Sequence, residues 1–247
     1  MEFDVKYIWE SFLQILDYLR HMNAISIIVR LVIAMICGGL IGIERASKRR
    51  AAGFRTYMVV CMGATLAMLL NQYIDDMLVN VWQLSQTTDA ARLGAQVING
   101  IGFLGAGTII LTGSQQVKGL ITAAGLWASA CMGLAIGAGF YEAALIACVM
   151  ISMIIVLFGR VEEFIVRHSR NMNLLVRFEN LEDVSRVIEK IRAGNNTVYD
   201  VEMNKGRESG EESPSAIFSI RLAKRVSHAS VIMSIAGMDS VRSIVEL

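Results

Sequence analysis

The chain has 247 residues, 54% of them hydrophobic and 18% charged, a balance on the membrane side of the globular average. Its formal net charge of +1 points to no partner, and its four cysteines, Cys37, Cys61, Cys131 and Cys148, fall in apolar segments with no C-x-x-C pair and no histidine at ligand spacing. That pattern argues against a disulfide framework or a structural zinc site and leaves the cysteines as small packing residues.

Residues 1–22 place Phe3, Tyr7, Trp9, Phe12, Leu16 and Leu19 among charges, as an amphipathic segment lying at a membrane interface does. The basic start and small-residue cleavage site of a removable signal are missing. The first span covers residues 24–43 and carries Gly38-x-x-x-Gly42, which favours a close helix crossing. Arg30 lies inside this span, roughly 9 Å from its start. Two readings stay open for it: snorkelling to the interface, or a buried partner, since intramembrane charges are costly and usually paired.

Residues 44–56 set Arg45, Lys48, Arg49, Arg50 and Arg55 against the single acid Glu44, so the positive-inside rule makes this loop cytoplasmic. Glu44 can pair with Arg45 or Arg55 and fix the loop against the bundle; the other reading is a docking surface for anionic headgroups or a partner protein. A second span covers residues 57–74, and the connection after it, with Asp75, Asp76 and Asp89, fits the outer side. Further spans are expected over 94–111, 119–138 and 140–158, five in all. That count, with Arg160, Arg167 and Arg170 after the last span, puts the N-terminus outside and the C-terminus in the cytoplasm.

The third span is unusually glycine-rich. Gly100, Gly102, Gly105 and Gly107 allow neighbouring backbones to approach closely, which predicts a helix at the centre of the bundle or in a subunit interface. Gly100-x-Gly102-x-x-Gly105 also matches the dinucleotide fingerprint, but that motif needs a preceding strand, an amphipathic helix and an acid about twenty residues on. The apolar surroundings supply none of these.

Asp89, Arg92, Gln96 and Asn99 are spaced three, four and three apart. If the helix begins near Asp89, they form one polar stripe entering the membrane from outside. Arg30 enters from the same side, so one outward-facing network of Arg30 with Asp89 or Arg92, and Gln96 and Asn99 as its deeper end, is one expectation. The other is that these groups only hold helices together by hydrogen bonds.

Magnesium favours octahedral oxygen ligation with carboxylates and retained waters. This stripe offers one carboxylate beside one or two cations, and no other span has an acid near its middle, so a dedicated Mg2+ pathway is poorly supported. A proton relay of Asp, Glu or His is likewise not expected. His21, His168 and His228 lie outside the spans with no nucleophile, base and oxyanion set around them, so neither an enzyme nor a cofactor is expected.

From about residue 171 the composition becomes that of a soluble domain. Strand patterns over 173–179, 197–204, 216–223 and 241–247 alternate with helical ones over 181–193 and 226–237, and a polar loop over 205–215 joins the middle strands. The order βαββαβ is the split βαβ arrangement, with both helices on one face of an antiparallel sheet. Such small domains are marginal alone and often dimerise.

Five motifs together resemble the MgtC/SapB family of bacterial inner-membrane proteins: Gly39-Leu-Ile-Gly-Ile-Glu-Arg45, Ala52-Gly-Phe-Arg-Thr56, Asp89 through Arg92 to Gln96, Gly100-Ile-Gly-Phe-Leu-Gly-Ala-Gly-Thr108, and Val117-Lys-Gly-Leu-Ile-Thr-Ala-Ala-Gly-Leu-Trp127. Departures are Phe54, Asn99 and Ile121, where the family more often has Leu, Ser and Thr. The resemblance implies a multi-pass α-helical membrane domain of about five transmembrane helices, followed by an α+β cytoplasmic domain with an ACT-like βαββαβ fold. The expected boundaries are 1–23 for the interfacial segment, 24–159 for the membrane domain, 160–170 for a linker and 171–247 for the ACT-like domain.

The resemblance also implies the bacterial inner membrane, growth in low magnesium and, in pathogens, survival inside host cells. What it implies is adaptation to magnesium limitation more than transport, and some members are thought to act by restraining the F-type ATP synthase. The expected partners are therefore the lipid bilayer, a membrane protein such as that synthase, and a second copy of the chain, with no nucleic acid. Two alternatives remain: an ion transporter or channel, and a sensor whose ACT-like domain binds a small metabolite.

Overall fold

The computed structural model describes residues 2–48, 50–83, 89, 91–111, 117–204, 214–223 and 226–247. The chain divides into two compact units near residue 161.

The first unit is helical. α1 (Glu2–Arg20) precedes α2 (Ala24–Ser47), which opens on Asn23, whose side chain accepts the Ser26 amide at 2.7 Å and caps the helix. α3 (Phe54–Asp76) continues through a π-helical turn, Met77–Val81. After α4 (Arg92–Ala106), two short strands, β1 (Ile110–Leu111) and β2 (Val117–Lys118), pair antiparallel and lead into α5 (Leu120–Gly137). α6 (Tyr141–Met153) runs through a second π-helical turn, Ile154–Phe158, into α7 (Gly159–His168).

Among the described residues, four helical segments are long and apolar enough to cross a membrane: Ala24–Ser47, Phe54–Val81, Leu120–Gly137 and Tyr141–Val166. The expected third span differs. Its helix ends at Ala106, and Ile110 and Leu111 belong to the hairpin. The cause is local: Gly105 and Gly107 weaken the helix, and the Thr108 hydroxyl turns back onto the Gly105 carbonyl at 2.8 Å. At 15 residues α4 rises roughly 22 Å, short of the ~30 Å hydrocarbon core.

Lipid tails are as apolar as leucine, so helix association in a bilayer rests on close packing and hydrogen bonds. The seam between α3 and α5 uses both. A Cβ on Gly125 or Gly137 would lie 2.5 Å from the Tyr57 hydroxyl or 2.7 Å from the Thr65 carbonyl oxygen, and one on Gly133 would overlap the Cys61 carbonyl oxygen. Thr65 Oγ1 donates to Gly133 O at 2.8 Å and Tyr57 Oη to Thr122 O at 3.2 Å, tying the two helices along their length. Ala34, Cys37, Ile41, Cys61, Leu126, Ala130, Ile136 and Cys148 fill the core around this seam.

The second unit is an antiparallel sheet with two helices. Its strands, β3 (Asn171–Phe178), β4 (Thr197–Asn204), β5 (Ser215–Arg221) and β6 (Val241–Glu246), are ordered β4-β5-β3-β6, with Leu174 opposite both Phe218 and Glu246. α8 (Val184–Ala193) and α9 (His228–Ala236) place Val184, Val187, Ile191, Val231 and Ile235 in one core with Leu174, Val176, Phe178, Phe218 and Ile220. This is the βαββαβ topology that the strand and helix periods predict, a small sheet with both helices in one core. Residues 205–213 of the expected polar loop lie outside the described residues.

Candidate functional site

Arg30 is 0% exposed, so it does not snorkel. All five of its N–H donors have acceptors: Nε to Tyr141 Oη at 3.1 Å, Nη1 to Gln72 Oε1 at 2.8 Å and Gly137 O at 2.7 Å, and Nη2 to Leu19 O at 3.0 Å and Arg20 O at 2.8 Å. A guanidinium has five donors in a fixed fork, and here the fork is filled. The carbonyls of Leu19, Arg20 and Gly137 stand at the C-terminal ends of α1 and α5, where unpaired carbonyls and the negative end of the helix dipole favour a cation. Tyr141 Oη in turn donates to Leu19 O at 2.7 Å, and Arg20 forms an ion pair with Glu142 beside this node.

The node needs a tight turn from α5 to α6. Gly139 makes it at φ +81°, and a Cβ there would lie 3.3 Å from Arg30 Nη2.

Arg30 therefore binds α1, α3, α5 and α6 together, and among the described residues neither Asp89 nor Arg92 touches it. Asp89 lies before α4: its carboxylate accepts the Ala91 amide at 3.1 Å and its carbonyl accepts the Arg92 amide at 3.0 Å. The helix begins at Arg92, three residues later than the four-residue stripe requires. A short polar side chain bonding its own following backbone competes with helix initiation there.

Arg92, Gln96 and Asn99 do share one side of α4, and that side is exposed on the chain. Ile101 and Gly105 are the buried residues of the helix; a Cβ on Gly105 would sit 3.5 Å from the Ala123 Cβ on α5. Gly100 and Gly102 have open space beside them, Gly107 has only its own helix end nearby, and Phe103 is 82% exposed. Within one chain α4 is thus peripheral to the bundle. Gly38 and Gly42 on α2 are the reverse case: a Cβ on either would lie 2.6 Å from Tyr57 O or 2.7 Å from Phe54 Cα on α3.

At the other end of the bundle, Glu44 pairs with Arg45, Oε2 to Nε and Nη2 at 2.5 Å each, and with Lys48 Nζ at 3.2 Å through Oε1. Glu44 Oε1 is buried without a well-directed hydrogen bond, so the Lys48 contact is ionic. Arg55 is exposed and shares no ion pair with Glu44 among the described residues. The glycine seam of α5 was the feature least evident in the sequence, although Gly133-x-x-x-Gly137 carries the small-residue spacing that marks it.

Among the described residues, no three His, Cys, Asp or Glu side chains converge as a metal site would require.

A family model described as the MgtC family matches residues 31–164. The YhiD protein of Escherichia coli K12, whose given name proposes magnesium transport, is 38% identical over 132 residues, covering 53% of this chain and 60% of its own. A protein of Haemophilus influenzae is 33% identical over 201 residues, 80% of this chain and 83% of its own. MgtC of Salmonella typhimurium is 40% identical over 124 residues, 50% of this chain and 48% of its own. The match thus spans three fifths of the YhiD protein and about half of the Salmonella one. No solved structure matches.

Proposed function

The chain belongs to the MgtC family, and on that premise we propose that it supports growth under magnesium limitation from the bacterial inner membrane by contacting a membrane-protein partner, rather than by carrying the ion. In this reading the basic loop at Arg45 and the C-terminal unit face the cytoplasm, the N-terminus faces outward, and the F-type ATP synthase is the partner to test first.

One observation carries the proposal. α4 turns Arg92, Gln96 and Asn99 away from its own bundle, beside the open sides of Gly100 and Gly102. Exposed amides on a helix of a membrane domain are costly against lipid and hydrogen-bond readily to another helix, and the missing glycine side chains let that helix approach. The fully buried charge in the bundle, Arg30, points the same way: it is a cation satisfied by neutral acceptors, and a fixed positive charge repels Mg2+.

Co-purification from native membranes tests this. Recovery of the synthase in stoichiometric amount, lost in Asn99→Leu, is expected. The transport reading takes support from the YhiD name, and proteoliposome flux separates the two: Mg2+ uptake abolished by Asp89→Ala or Asn99→Ala would overturn the partner reading.

A further inference from the structure

A pocket of about 450 Å3 opens at the Arg45 end of the helical unit, lined by Arg45, Arg50, Lys118 and the first turn of α5. That volume lies within the range of small-ligand sites. Among the described residues, three cations and no carboxylate line it, with Glu44 paired to Arg45 outside the lining. Arg45 is 5% exposed and held in place by Glu44, so its guanidinium is a fixed part of the pocket wall. Arg50 and Lys118 are exposed and form no ion pair among the described residues.

The backbone adds to this charge. The first intrahelical bond of α5 runs from Ala123 N to Gly119 O at 2.9 Å, which leaves the amides of Leu120, Ile121 and Thr122 ahead of the helical ladder, and no side chain caps them. These residues line the pocket, so an 18-residue helix directs its positive end there. Gly119 makes the arrangement possible. At φ +99° it turns β2 into α5, and a Cβ there would overlap the Thr108 carbonyl oxygen, so the hairpin packs directly beside the helix start.

Beside Thr108 and Thr122, the lining also carries exposed apolar side chains, Ile110, Val117, Leu120 and Ile121. A lining that combines cations, free helix amides and exposed apolar side chains is the complement of an amphiphile. We propose that this pocket binds a phosphate group, and that its apolar side chains make the headgroup of an anionic phospholipid the source. The site is independent of which protein partner α4 meets.

Native mass spectrometry of the full-length protein tests it with phosphatidylglycerol, with phosphatidylcholine of matched acyl chains, and with inorganic phosphate in a separate arm. Phosphatidylglycerol is expected to be retained over phosphatidylcholine. Arg50→Gln and Lys118→Gln are each expected to weaken it about fivefold, and the double variant roughly 25-fold. Arg160→Gln, an exposed cation outside the pocket, should leave it unchanged, and the exposure of Arg50 and Lys118 keeps the variants folded. Retention of inorganic phosphate that the double variant loses, without selectivity between the lipids, supports the phosphate site and overturns the lipid source. If the double variant binds phosphatidylglycerol and phosphate as the wild type does, the proposal is wrong.

Discussion

Arg30 and Gly137 are 107 residues apart in the chain, yet the guanidinium donates to the Gly137 carbonyl at 2.7 Å. That bond sets α2 against the C-terminus of α5, and the four other donors of Arg30 extend the tie to α1, α3 and α6. Arg30→Leu removes all five bonds, those to Tyr141 Oη and Gly137 O in buried surroundings, while the Leu19 carbonyl keeps Tyr141 Oη as a donor, and is expected to cost about 3 kcal/mol or more. Arg30→Lys keeps the charge but offers three donors on a point cation, so it should restore only part of the loss. Thermal unfolding in detergent checks both, and a wild-type melting curve for Arg30→Leu would show that the node does not hold the bundle.

The glycines of α5 and α4 predict opposite outcomes for one chemical change. Gly133→Ala places a Cβ against the Cys61 carbonyl, where backbone must move, and is expected to destabilise by about 1–3 kcal/mol. Gly102→Ala meets open space and gains helix propensity, so the isolated protein should be unchanged or stabilised by up to about 1 kcal/mol. Parallel melting curves of the two variants decide it.

A consequence for association follows from the same face. Gly102→Leu and Asn99→Leu are expected to leave the fold intact while each lowers recovery of a crosslinked partner about tenfold, because bulk blocks close approach and the amide is lost. Crosslinking in native membranes followed by gel analysis reads this. Undiminished crosslinking in both variants would place the contact elsewhere.

What could be read from the sequence depended on whether the information was periodic. The alternation of the strands and the 3.6-residue spacing of α8 and α9 marked the C-terminal topology to within a few residues, because one face of each element is buried. The apolar blocks marked the long helices for the same reason. Arg30 was legible as an intramembrane charge, but four of its five bonds go to backbone carbonyls or to Tyr141, which no side-chain pattern in the primary structure announces. The stripe from Asp89 failed at its first member, because the Asp89 side chain binds the Ala91 amide and the helix starts after it. The basic pocket draws its lining from α2, the residues after it, the β1–β2 hairpin and the start of α5, a convergence of distant segments that local spacing does not announce.

The C-terminal unit carries its own pH dependence. His228, the first residue of α9, lies between the Glu246 carboxylate, Nδ1 to Oε1 at 2.5 Å, and the Ser169 carbonyl, Nε2 to O at 2.8 Å. Burial opposes its charge, but the hydrogen bond to Glu246, the bond to Ser169 and the Glu246 charge together outweigh that and raise its pKa above the usual histidine value. Both ring nitrogens face acceptors, so the imidazolium is the form that fits. With the folded pKa above the unfolded value of about 6.5, the stabilisation is fully present below that value and is lost as pH rises through the folded pKa. Hydrogen exchange on the full-length protein, corrected for intrinsic rates, should show α9 and β6 less protected at about pH 8 than at about pH 6. Glu246→Gln removes the charge that raises the pKa and should abolish this loss; an unaltered pH response in that variant would assign the dependence to another group.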